Sequence, residues 1–226
     1  MSETIFKDLT VKELFAYPEH SIAYPLLEKH VYPWEALDSI GEFIRELGKT
    51  LSADDYYIDG DIYISKTAEV APSAHIDGPC IICEGAKIRH CAYIRGKAIV
   101  GAGAVVGNSV ELKNCILFDK AQVPHFNYVG DSVLGYKAHM GAGAITSNFK
   151  SDGSSVTVKR GSDSLPTGRR KLGAMLGDFA EIGCNCVLNP GTVIGTGTTV
   201  YPLSSVRGCV PKNKIYKSRD AVIEKE

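Results

Sequence analysis

An aliphatic residue recurs at every sixth position from Ile58 to Leu112: Ile58, Ile64, Val70, Ile76, Ile82, Ile88, Ile94, Val100, Val106 and Leu112. Two positions before most of them stands a small residue, at Ala68, Ala74, Cys80, Ala86, Ala92, Ala98 and Ala104. A helix repeats every 3.6 residues and cannot hold this register, and a simple two-residue strand period does not demand a small residue at every third inward site. Period six instead describes short flat strands joined by corners, each hexad supplying one face of a triangular prism. The aliphatic side chain fills the prism, and the small one lets the chain turn without striking the coil above. Three hexads close a coil, so residues eighteen apart are expected to stack. The fold class is therefore all-β.

The period returns in a new phase at Leu134 and Met140, then at Leu176, Ile182, Leu188, Ile194, Val200 and Val206. Its small partners are Ala138, Ala144, Ala180, Cys186, Thr192, Thr198 and Ser204. Glycine follows the aliphatic residue at Gly135, Gly141, Gly177, Gly183 and Gly195, which predicts corners needing freedom in φ. Two irregular segments are expected to join the phases, a bulge over 113–130 and a longer excursion over 149–175 rich in Lys, Arg, Gly, Ser and Asp. Interruptions of this kind are where a solenoid carries its function.

Residues 1–57 lie outside the repeat. Val11 to Tyr17 reads as a short helix. Pro33 suits a first helical position, after which Trp34, Leu37, Ile40, Phe43, Ile44 and Leu47 share one face and Gly48 offers a stop. The reading is a helical cap (1–57) over the open N-terminal end of the prism, the coils themselves (58–210), and a charged tail (211–226) ending as a short helix or extended arm. The 25 Lys and Arg against 26 Asp and Glu give no bulk argument for nucleic acid or an anionic membrane. No apolar run approaches the ~20 residues of a membrane span. Seven cysteines lack framework spacing, Cys80 and Cys186 occupy small inward sites, and Cys80-Ile-Ile-Cys83 lacks the βαβ surroundings of a redox motif. A reducing cytoplasm is the expected location.

The coil length gives one geometric inference about chemistry. Arg95 and Lys113, eighteen apart, are expected to stand one above the other, a pair that a phosphate would bridge and that is otherwise a solvated basic ridge. His125, in Val-Pro-His-Phe-Asn-Tyr, is a candidate proton acceptor, with Glu111 placed to hold its second ring nitrogen. Its bland alternative is a surface or satisfied histidine. His90, His125 and His139 raise a zinc site of the hydratase type, which their spacing disfavours, and no metal is expected. The corner Gly141-Ala142-Gly143 exposes backbone N–H groups that could meet an oxyanion or could simply turn the chain. Thr167-Gly168-Arg169-Arg170-Lys171 is either a solvated charge run or a contact for the phosphates of a long anionic cofactor.

On these residues the chain resembles the left-handed β-helix acetyltransferase domain of the bifunctional N-acetylglucosamine-1-phosphate uridylyltransferase / glucosamine-1-phosphate acetyltransferases and related sugar-1-phosphate nucleotidylyltransferases. The resemblance covers about residues 58–220. It is densest from Arg95 to Asn148, through Ser-Val-Glu-Leu-Lys (109–113), Pro-His-Phe-Asn-Tyr-Val-Gly-Asp (124–131) and Gly-Ala-Gly-Ala-Ile-Thr-Ser-Asn (141–148). It implies a left-handed parallel β-helix of hexapeptide repeats, an exception to right-handed crossovers. It implies His125 as general base with Glu111 polarising it, Arg95 and Lys113 on a phosphate, Tyr128 on the sugar, and the Ala142 N–H on the oxyanion. Asn148 and Arg219 fall at positions that face acetyl-coenzyme A, and a homotrimer with sites between subunits is implied. His139 stands where the family has a sugar-binding Asn, and Cys184 where it has a cofactor-side Ser. The 57 leading residues are too few for a nucleotidylyltransferase domain, so uridylyl transfer by this chain alone is not expected. The expected activity is acetyl transfer from acetyl-coenzyme A to the amine of a glucosamine-1-phosphate-like aminosugar phosphate. The alternative is a non-catalytic trimeric sugar-phosphate-binding or regulatory module partnering a separate nucleotidylyltransferase.

Overall fold

In the computed structural model, residues 6–225 are described. The hexads form a parallel β-helix with three faces, the left-handed prism expected from the repeat. One face stacks the strands Glu69–Val70, Lys87–Ile88, Val105–Asn108, Gln122–His125, His139–Met140, Glu181–Ile182 and Thr199–Val200, and ends on Lys214–Ser218. The next, called the site face below, stacks His75–Asp77, Tyr93–Arg95, the first halves of Glu111–Leu117 and Tyr128–Leu134, then Ile145–Thr146, Val187–Leu188 and Ser205–Val206. The third stacks Ile62–Ser65, Cys80–Ile82, Ala98–Val100, the second halves of the two long strands, Ala174–Leu176, Thr192–Ile194 and Cys209–Val210. Inside run the predicted aliphatic and small residues, from Cys80 and Ile82 through Met140 to Val206, almost all fully buried.

Several expectations change. Ile58 is exposed, in a strand Tyr56–Asp59 that pairs antiparallel with Ile62–Ser65, so the inward column begins at Ile64. Residues 113–130 form no bulge. They stay in the prism as coils one residue short, with Cys115 beside Ala98 and Lys113 beside Gly130. Each shortening falls at a corner held by Asn114 or Asp131 in the left-handed region, φ 49° in both, a conformation that short polar side chains tolerate. Two such losses produce the change of phase.

The glycines after the aliphatic residues do not have positive φ. A Cβ on Gly177 would lie 2.6 Å from the Thr196 nitrogen, and one on Gly183 2.4 Å from that of Pro202, so the next coil's backbone forbids a side chain.

The N-terminal segment does not close the end of the prism. Phe6, Leu9, Leu14, Phe15, Leu27, Trp34, Leu37, Ile40 and Ile44 pack along the third face, on its outward column Ile81, Ile99, Ile116, Val133, Met175 and Val193. Pro33–Ser39 is 3-10 and Ile40–Gly48 α-helical; the Glu35 carboxylate caps this run by accepting the N–H groups of Val31 and Tyr32. The predicted helix from Val11 ends at Leu14. The excursion carries a hairpin, Thr157–Arg160 with Asp163–Pro166, whose Val156 and Val158 extend the same cover. The tail is neither helix nor arm: Lys214–Ser218 continues a face and folds back on Ala221–Glu224.

Candidate active site on one face of the prism

Outward residues of the site face alternate with the half-buried Ile76 and the buried Ile94, Leu112 and Val129, as a pleated strand requires. Two columns result. Tyr93, Glu111 and Tyr128 stand in register near the first edge, and Asp77 and Arg95 near the second, where Lys113 follows in the next coil. Arg95 and Lys113 thus come together as the coil length predicts, and both line one cleft. Neither is a bare cation. Arg95 Nη1 donates to Glu111 Oε1 at 2.6 Å, and Lys113 Nζ lies 3.3 Å from Asp131 Oδ2.

Asp131 is the residue the sequence reading overlooked. Its side chain is 5% exposed and its carboxylate accepts from Lys113, from Asn114 Nδ2 and from Asn148 Nδ2. Asn148 also donates to the Tyr128 hydroxyl at 3.1 Å, so it joins the cation-bearing side of the face with Arg95, Lys113 and Tyr128. Burial pushes the Tyr128 phenol up, against the Asn148 hydrogen bond that lowers it. The Tyr128 ring lies across Gly130, where a Cβ would fall 2.4 Å from its hydroxyl. The shortened coil sets Lys113 beside Gly130, yet Asp131 lies eighteen residues after Lys113, so the count that pairs Arg95 with Lys113 reaches it when carried one coil further.

The first edge of the site face carries a second column. The Gly143 N–H donates to the His125 carbonyl at 3.0 Å and the Asn185 N–H to the Ala142 carbonyl at 2.8 Å, which stacks His125, Ala142 and Cys184 on successive coils. His125 is exposed, and among the described residues its ring has no hydrogen-bond partner. The Ala142 N–H is likewise unpartnered among the described residues. Cys184 is an exposed free thiol beside Gly141.

Glu111 was expected to hold His125 and instead meets Arg95, because both point outward from adjacent coils of the same face while His125 sits at the corner. His139 lies on the neighbouring face, its Nδ1 2.9 Å from Glu181 Oε2. Arg219 lies in the terminal hairpin and lines a separate hollow with Lys159 and Arg207. Among the described residues no three His, Cys, Asp or Glu side chains gather as a metal site, and His90 is bonded instead to Ser73. Cys80 and Cys83 are buried, and burial pushes both thiols up, which removes thiolate character. No helix among the described residues is long and apolar enough to cross a membrane.

The basic excursion folds over the second edge. Arg169, Arg170 and Lys171 line the cleft of about 530 Å³ that also holds Arg95, Lys97 and Lys113. Arg169 is fixed there by both oxygens of Asp38, each at 2.7 Å, so a residue of the N-terminal segment anchors the excursion. That guanidinium holds the Asp38 carboxyl below its usual range.

Residues 76–162 match the family described as the GMPPB C-terminal domain. The chain is 35% identical over 182 residues to a bifunctional sugar-1-phosphate nucleotidylyltransferase/acetyltransferase of Sulfurisphaera tokodaii, covering 80% of this chain and 45% of that protein. It is 35% identical over 199 residues to the bifunctional protein GlmU of Methanococcus maripaludis, covering 86% and 48%. Among solved structures it is similar to the acetyltransferase domain of PglB from Neisseria gonorrhoeae in complex with acetyl coenzyme A, at 13% identity and TM-score 0.32 over 86% of this chain and 77% of that one. The chain spans about half the length of the curated relatives it matches, and over that span it is related in sequence to the bifunctional sugar-1-phosphate nucleotidylyltransferase/acetyltransferases.

Proposed function

We propose that the protein transfers an acetyl group from acetyl-coenzyme A to the amine of an aminosugar phosphate resembling glucosamine 1-phosphate. One juxtaposition carries the reading. A histidine and a backbone N–H, each without a partner among the described residues, stack at one edge of a face whose other edge bears two cations. His125 takes the amine proton as nitrogen attacks the thioester carbonyl, and the C–S bond then breaks to release the coenzyme thiolate. The Ala142 N–H donates to the oxyanion formed on the way. Arg95 and Lys113 hold the phosphate, and Tyr128 and His139 contact the sugar. Cys184 and Arg219 belong to the coenzyme side, whereas Asn148 orients Tyr128 and Asp131 on the phosphate side. A phosphate arriving at Arg95 competes with Glu111 for the guanidinium, and a released Glu111 is the carboxylate available to polarise His125. The active form is a cytoplasmic homotrimer in which a neighbouring prism closes the open face.

The ion pair between Glu111 and Arg95 favours a second reading, a sugar-phosphate-binding module without catalysis that serves a separate nucleotidylyltransferase. Thiol release from acetyl-coenzyme A, measured with a panel of aminosugar phosphates, separates the two. Acetyl transfer requires turnover of at least one amine. Calorimetry that finds sugar phosphate binding but no coenzyme binding, with no turnover, leaves the binding module.

A further inference from the structure

The excursion adds positive charge to the cleft beyond what one phosphate needs. Six cations line it: Arg95, Lys97, Lys113, Arg169, Arg170 and Lys171. Three are matched one to one by carboxylates, Arg95 by Glu111, Lys113 by Asp131 and Arg169 by Asp38. Lys97, Arg170 and Lys171 have no carboxylate within ion-pair distance among the described residues. They are held toward the cleft by backbone and packing. Lys97 sits at a corner with φ 49°, its stem against Gly41 of the N-terminal segment. Lys171 bridges to Phe149 at the root of the excursion, and the Asp38–Arg169 clamp fixes the backbone next to Arg170. Three like charges gathered without partners repel one another, and an anion among them relieves that cost.

A ligand that suits the whole cleft therefore carries more than one phosphoryl group.

We infer that the acceptor at this site is a diphosphate-linked sugar, with one phosphate on Arg95 and Lys113 and the second on Lys97, Arg170 and Lys171. The inference rests on the cleft being the acceptor site of the proposed transferase, and its test reads binding alone. Inorganic phosphate, inorganic pyrophosphate and UDP are titrated calorimetrically into the wild-type protein and into a double variant, Arg170→Gln with Lys171→Gln, at fixed ionic strength. Pyrophosphate is expected to bind at least about tenfold tighter than phosphate, and the variant to lose most of that preference while phosphate binding stays within about twofold. UDP tighter than pyrophosphate supports the inference with a nucleotide as the source of the diphosphate, and equal affinity supports it with the diphosphate alone being read. Equal binding of phosphate and pyrophosphate, no pyrophosphate binding, or a preference untouched in the variant overturns it. An intact pyrophosphate preference without thiol release on any amine would overturn the transferase reading and leave a diphosphate-binding cleft without an acceptor role.

Discussion

At the residue scale, the site is organised less by its cations than by the carboxylates that hold them. Asp131 is nearly buried and accepts from a lysine and two amides at once. Replacing it with Ala strands Lys113, Asn114 and Asn148 without their acceptor, and removing one partner of a buried pair is costly. Asp131→Ala is expected to lower unfolding free energy by about 3 kcal/mol, read from the urea midpoint at unchanged m-value. A loss below about 0.5 kcal/mol would show that water replaces the carboxylate freely. Arg95 and Lys113 were legible from sequence because coil counting brings them together. Asp131 was equally countable, eighteen residues after Lys113, but the segment before it read as a bulge outside the prism, so the count stopped at Lys113.

At the scale of elements, the N-terminal segment is part of the wall of the prism. Its attachment is visible at Asp178, whose fully buried carboxylate accepts the Ala16 N–H at 2.7 Å and the Tyr136 N–H at 2.8 Å. Burial pushes Asp178 up to about 6, against the backbone hydrogen bonds that lower it. A folded-state value above the ordinary 3.8 means that folding favours the protonated acid. The contribution is fully present below about pH 4 and declines as pH rises through about 6, by about 3 kcal/mol in all. The difference in unfolding free energy between wild type and Asp178→Asn is expected to follow that decline between acidic and neutral pH. A difference that stays flat with pH contradicts it.

The reason the segment was expected at the end of the prism is also physical. An open first coil needs covering, and that argument is sound, but a second hydrophobic demand was stronger. Ile81, Ile99, Ile116, Val133, Met175 and Val193 each precede an inward aliphatic residue and so point outward, a column far too long to leave in water. The signal lay in the sequence one position away from the residues that revealed the repeat.

At the scale of the whole molecule, covering the third face decides what remains for assembly. The N-terminal segment and the excursion hairpin together occupy it from Tyr63 to Val193. A trimer must therefore join through the other two faces and the edge they share, where His125, Ala142 and Cys184 stack and where Phe126 and Leu203 are 62% and 80% exposed. Light scattering is expected to give three times the 24.4 kDa chain mass, and Leu203→Asp to shift that toward monomer; a monomeric wild type contradicts the shared-edge assembly. The prism was legible from the spacing of aliphatic and small residues alone, since neither a helix nor a simple two-residue strand period asks for that spacing. Arg95 and Lys113 were legible as neighbours, but the contacts around them were not, since Glu111 meets Arg95 and the excursion reaches the cation-bearing edge of the face.

The central claim is that His125 is the base of an acetyl transfer. The most direct measurement is the steady-state rate of thiol release from acetyl-coenzyme A with the best amine acceptor, for wild type and His125→Ala at saturating substrates. The account predicts a fall in kcat of about 10²–10⁴ with acceptor binding retained. Full activity in His125→Ala would contradict it.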